Sequence, residues 1–170
     1  MNENLLEADH QSLGKLIEEL DVELASFNLS RAFNLLDLFW ARLAVHIRAE
    51  HLQLFPALDA VQSSQLTGRD GLPTSAEVES ILDGLRSDHD FFMKELALMI
   101  KAMRKSDRHE MSVEEIRSRL GVLGKRLNEH NRVEEEQVYV WPSLLLDPQT
   151  VADLHKRVQH ELSNLPQRFA

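Results

Sequence analysis

The chain carries one short pattern twice, as His46-Ile-Arg-Ala-Glu50 and, in its second half, as His130-Asn-Arg-Val-Glu134. Residues four apart on a helix share a face, so each pattern can aim an imidazole and a carboxylate at one point. Each is preceded by a further histidine that follows an aspartate, in Asp9-His10 and Asp88-His89. All six of His10, His46, Glu50, His89, His130 and Glu134 fall where helical periodicity calls for core residues. A carboxylate left charged and unpaired in a core costs several kcal/mol. Two of them with four imidazoles exceed what a domain absorbs, since net stability is only about 5–15 kcal/mol. Cations remove that penalty.

Imidazole nitrogen and carboxylate oxygen suit iron, manganese or zinc better than calcium or magnesium. With His10 and His46 on one ion, His89 and His130 on the other and both glutamates bridging, each ion receives two nitrogens and two oxygens. An oxo or hydroxo bridge supplies a fifth ligand. One position per ion then stays open, which suits a small diatomic ligand or a peroxide. A lone histidine on an apolar stripe is more often a hydrogen-bonded core residue than a ligand. Four such histidines on four stripes, two with the glutamate spacing and repeated in both halves, favour a metal site.

The elements that must position these residues are helices. Only 6 glycines and 5 prolines occur, and no segment sustains period-two alternation. The first helix is expected from about residue 3 to 27, with Leu6, His10, Leu13, Ile17, Leu20 and Leu24 on one stripe. Asn28 and Ser30 mark a turn, with Ser30 as the cap of a second helix running to about residue 62. The inward stripe of that helix reads Leu36, Phe39, Leu43, His46, Glu50, Gln53 and Ala57. A long loop, Thr67 to Thr74, leads to a capping box in Thr74-Ser-Ala-Glu77. The third helix turns Leu82, Leu85, His89, Phe92, Leu96, Met99 and Met103 inward. A second capping box, Ser112-Val-Glu-Glu115, opens the fourth, whose stripe is Ile116, Leu120, Leu123, Leu127, His130, Glu134, Gln137 and Trp141. Asp147-Pro148 starts a short fifth helix to about residue 163. The expected fold is therefore all-α, an up-down-up-down four-helix bundle with a short C-terminal fifth helix. A single domain spans 1–170, with the bundle over about 3–142 and an extension over about 143–170. Its halves are related by a pseudo-twofold axis, with the site between them.

Composition narrows the function classes. The formal net charge of −9 disfavours nucleic acid or an anionic membrane as partner. No cysteine is present, which excludes disulfides, thiolate zinc sites and thiol catalysis. Apolar runs are broken early by charge, as at Asp37 and Arg42, and the N-terminus is unlike a secretory signal, so a cytoplasmic protein is expected. Leu144-Leu145-Leu146 leaves room for a homo-oligomer.

Over roughly residues 5–145 the chain resembles the hemerythrin-like HHE cation-binding domains. His10, the string His46 to Pro56, His89, and His130-Asn-Arg-Val-Glu134-Glu135 leading to Tyr139 and Pro142 carry the resemblance. It implies a four-helix bundle holding two non-haem iron ions, with zinc or manganese as substitutes, and the six residues above as metal ligands. The oxygen-carrying members have His-x-x-x-His on the third helix and an aspartate bridge on the fourth. Here Met93 follows His89 at that spacing and Glu134 is the bridge. The resemblance is closer to the bacterial four-histidine, two-glutamate subgroup, some members of which are implicated in repair of iron centres under nitrosative or oxidative stress. Their cysteine-bearing N-terminal segment has no counterpart in this cysteine-free chain.

The expected function is binding of, or reaction with, oxygen, peroxide or nitric oxide at a di-iron site, in stress response or iron homeostasis. The alternatives are a metal- or oxygen-responsive binding module and an iron store or donor without catalysis. No separate general base, nucleophile or substrate-pocket signature assigns an enzyme. His51 lies about 140° around an α-helix from His46, which favours a supporting or surface role. His109, His155 and His160 are expected in solvent. Core packing is the favoured role for Tyr139 and Phe55 over lining access to the metals. Asp9 and Asp88 can each orient a neighbouring imidazole.

Overall fold

The computed structural model describes residues 4–104 and 111–169, so the expectation for His109 lies outside the described residues. The described chain is helical, with no strand among those residues. Four long helices, α1 (Leu5–Ala25), α2 (Leu29–Ala49), α4 (Ser75–Arg104) and α5 (Val113–Val133), form the bundle. Short helices α3 (Phe55–Asp59) and α6 (Trp141–Leu145) prolong α2 and α5. The last, α7 (Pro148–Ser163), lies across α2 and is tied to it where Arg48 donates to Glu161 at 2.9 Å.

The helix starts follow local chemistry. Thr74 Oγ1 accepts from Glu77 N at 3.2 Å while Glu77 Oε2 accepts from Thr74 N at 2.7 Å, a complete capping box. Ser112 caps Glu115 N, and Asp147 caps Gln149 N and Thr150 N ahead of Pro148. The turn after α1 departs from expectation. Phe27 takes a left-handed φ of 57°, Asn28 N donates to Glu23 O, and α2 begins at Leu29, so Ser30 lies inside the helix and caps nothing.

Two apolar layers fill the bundle, and every long helix passes from one to the other. In α1, Leu6 belongs to one layer and Leu13 to the other, with His10 between them. In α2 the order reverses, from Leu43 through His46 and Glu50 to Leu54. In α4 it reverses again, from Leu85 through His89 to Phe92, and in α5 once more, from Leu127 through His130 and Glu134 to Val138. This alternation is the up-down-up-down path. It makes the six residues one polar slab with leucine and phenylalanine on both sides.

The expected continuous helices past Glu50 and Glu134 are interrupted. Glu50–Leu54 and Glu134–Val138 are single π turns, in which Phe55 N donates to Glu50 O and Tyr139 N to Glu134 O. A π turn inserts one residue and rotates everything beyond it. Leu54 and Leu58 are buried where Gln53 and Ala57 were expected, and Val138 is buried while Gln137 is exposed. Both turns lead into a proline, Pro56 or Pro142, whose ring cannot sit against the carbonyl four residues back in a regular helix.

Candidate metal centre

The structure brings all six residues together. His10, His46, Glu50, His89, His130 and Glu134 are the buried polar side chains of the described core, each at most 5% exposed. Their reacting atoms fall into two clusters. His10 Nε2 and His46 Nε2 are 3.1 Å apart, and so are His89 Nε2 and His130 Nε2. Two nitrogens each about 2.1 Å from one cation and at right angles to it stand about 3.0 Å apart, which is the observed spacing. His10, His46 and Glu134 form one group able to hold a metal, and His89, His130 and Glu134 a second.

Both glutamates lie across the two clusters. Glu134 Oε2 is 3.2 Å from His10 Nε2, and its Oε1 is 3.0 Å from His130 Nε2. Glu50 Oε1 is 3.5 Å from His46 Nε2, and its Oε2 is 3.3 Å from His89 Nε2. Among the described residues, Glu50 Oε2 and Glu134 Oε1 are buried without a hydrogen-bond partner, since the nearby nitrogens lie at ion-pair distance but outside hydrogen-bonding geometry. Orphaned carboxylate oxygens facing converging imidazole nitrogens are the donor set a cation satisfies.

Behind each imidazole stands a partner for its other nitrogen. His46 Nδ1 donates to Asp9 Oδ2 at 3.0 Å and His130 Nδ1 to Asp88 Oδ2 at 3.1 Å. His10 Nδ1 donates to Glu135 Oε1 at 2.7 Å, whereas His89 Nδ1 faces His51 Nε2 at 2.8 Å. A carboxylate only accepts, so it holds the proton on Nδ1 and leaves Nε2 with a free lone pair. Arg42 and Arg126 in turn hold Asp9 and Asp88. His51, expected in a supporting or surface role, is an exposed residue whose ring meets His89.

Charge in the slab is self-consistent. Burial alone would lower the His46 pKa, but the Glu50 carboxylate, the Asp9 hydrogen bond and Glu134 outweigh it and push it to about 10. Burial opposes the Glu50 charge as well, yet His46 and His89 hold its carboxyl well below the ordinary range. His130 is likewise raised, because Glu134 and then Glu50 and Asp88 overcome its burial. In the metal-free protein, protons take up the positive charge that the carboxylates demand.

Two participants escaped the periodicity. Glu135 enters the sequence pattern only as part of a motif, yet it accepts from His10 Nδ1. Tyr139, assigned to core packing, instead donates to Glu50 Oε1 at 2.7 Å and lies 3.1 Å from Glu134 Oε2. Burial and then the two carboxylates raise its pKa well above the phenolic value. The signal for it was its position five after Glu134, matching Phe55 five after Glu50. Phe55 does pack as expected, stacked on His89 with ring centroids 6.0 Å apart. His155 is half-buried rather than solvated, while His160 is exposed. Leu144 is exposed, whereas Leu145 is buried and Leu146 packs beside it.

No described helix is long and apolar enough to cross a membrane. The sequence model of the hemerythrin HHE cation binding domain matches residues 2–141. No curated protein and no solved structure shows significant similarity to the chain.

Proposed function

The chain belongs to the hemerythrin HHE cation-binding domain family, and from that premise we propose that it is a non-haem di-iron protein for oxygen, peroxide or nitric oxide. His10 and His46 would hold one ion and His89 and His130 the other, with Glu50 and Glu134 supplying carboxylate oxygens to both. The carrying observation is the pair of buried, unpartnered oxygens, Glu50 Oε2 and Glu134 Oε1, set against two Nε2 pairs. When bound, the iron pair supplies a redox-active centre at which a small oxidant or nitric oxide binds or reacts. The chain's own residues do the rest. Asp9, Asp88 and Glu135 fix the imidazole tautomers, Tyr139 sets its hydroxyl beside Glu50 Oε1, and the two apolar layers exclude bulk water.

The test is metal analysis and optical spectroscopy on protein purified without air. Two irons per chain and a spectral change on adding nitric oxide or peroxide are expected. Iron-loaded protein with no di-iron absorption and no response to either reagent would refute the proposal.

A further inference from the structure

The two clusters differ in how many donors surround them. Around the His10–His46 cluster stand His10 Nε2, His46 Nε2, Glu50 Oε1 and Glu134 Oε2, and the Tyr139 oxygen is 3.1, 3.4, 2.7 and 3.1 Å from them in that order. One O–H can donate to only one acceptor at a time. Contacts of 2.7 to 3.4 Å to four atoms, more than one proton can serve, place the oxygen as a further donor beside the group formed by His10, His46 and Glu134. The spacing matches that of adjacent ligands about 2.1 Å from one cation. Tyr139 is half-buried overall with its hydroxyl inside, and the π turn at Glu134 delivers it there.

Among the described residues the His89–His130 cluster has no such group. Phe55, at the equivalent position, stacks on His89, and Phe92 meets His130 edge-on at 5.2 Å. The two carboxylate oxygens without a hydrogen-bond partner, Glu50 Oε2 and Glu134 Oε1, both face this cluster. The supporting residues follow the same division. Both imidazoles of the first cluster are backed by carboxylates, but in the second one of the two is backed by His51.

We propose that Tyr139 is a direct ligand of the ion held by His10 and His46, making that position coordinatively closed and the His89–His130 position the one that accepts the small ligand. The inference rests on the di-metal reading above. Binding releases the phenol proton to solvent as the oxygen bonds to the ion. Two carboxylate-backed imidazoles and an anionic oxygen make the first position the tighter one.

The experiment uses the full chain and its Tyr139→Phe variant, each shown by melting to be folded without metal. Zinc is titrated into the metal-free proteins by calorimetry, and visible spectra are recorded on the ferric-loaded proteins. Two zinc steps differing at least tenfold in Kd are expected, with the tighter weakened tenfold or more by Tyr139→Phe and the weaker unmoved. The ferric protein should show a phenolate-to-iron charge-transfer band that the variant lacks while retaining both irons. Any other pattern in a protein that binds two ions overturns the proposal, including equal zinc steps or a visible spectrum indifferent to Tyr139. A chain that takes up no metal overturns the di-metal reading itself, a distinguishable result.

Discussion

The turn after Glu50 and the turn after Glu134 share a backbone and differ in side chains. Both are π turns, both send the i+5 amide back to the glutamate carbonyl, and both lead into a proline. At the first position after the glutamate, one has His51 and the other Glu135; at the fifth, one has Phe55 and the other Tyr139. Each of these residues acts on the opposite half of the bundle, where Glu135 reaches His10 and His51 reaches His89. The repeated fold thus places equivalent positions equivalently, and two substitutions suffice to make one cluster carboxylate-rich and the other aromatic. Symmetry of backbone does not impose symmetry of chemistry.

The largest effect expected tests what the halves share. Replacing both Glu50 and Glu134 with alanine should take metal content from two ions per chain to none by elemental analysis, because both clusters draw on both carboxylates. Retention of one ion would mean the clusters are independent.

Removing the metal from the intact protein should come next. A ligand at a thousandfold its Kd stabilises by about 4 kcal/mol. In a chain of this size chelation should therefore lower the melting temperature by about 8–16 °C in calorimetry. An apo protein that melts like the loaded one would remove the energetic case for cations.

Smaller effects sharpen the contrast between halves. Glu135→Gln should weaken metal binding by about 10- to 100-fold, the usual range for an orienting partner. His51→Gln should do less, because it exchanges one neutral partner for another. Titration of each variant with zinc ranks them, and equal losses would show that the backing charge is immaterial.

A different kind of effect is the pH dependence of the metal-free protein. His46 binds its proton more tightly when folded, with a pKa raised from 6.5 to about 10. The stability it contributes is fully present below about 6.5 and is lost as pH rises through about 10. Between those limits one proton corresponds to about 1.4 kcal/mol per pH unit. Denaturant melts across that window should show the decline in the apo protein and not in the loaded one, whose ligands hold metal in place of protons.

Much of this was legible in the residues themselves. The four stripes, the capping box at Thr74, the Ser112 cap and Asp147-Pro148 are local features whose spacing fixes their geometry, and they are present, although at Ser112 only the serine half of the expected box forms, since Glu115 turns to Arg119. The six buried polar residues were also readable, since apolar neighbours at helical spacing leave them no route to solvent. Beyond Glu50 and Glu134 a period of 3.6 carries Gln53, Ala57 and Gln137 inward, whereas the π turns shift the register and bury Leu54, Leu58 and Val138 instead. The prolines that follow were visible, but a proline can end, bend or widen a helix, and its packing selects among these.

The sequence by itself determined the helices, the polar slab in the core and the kind of atoms that slab presents, because each depends on contacts within four residues. Only the tertiary structure decided which partner stands behind each imidazole and that Tyr139 rather than Gln137 enters the site. Those contacts join residues as far apart as His10 and Glu135, and they turn on one extra residue in a helical turn.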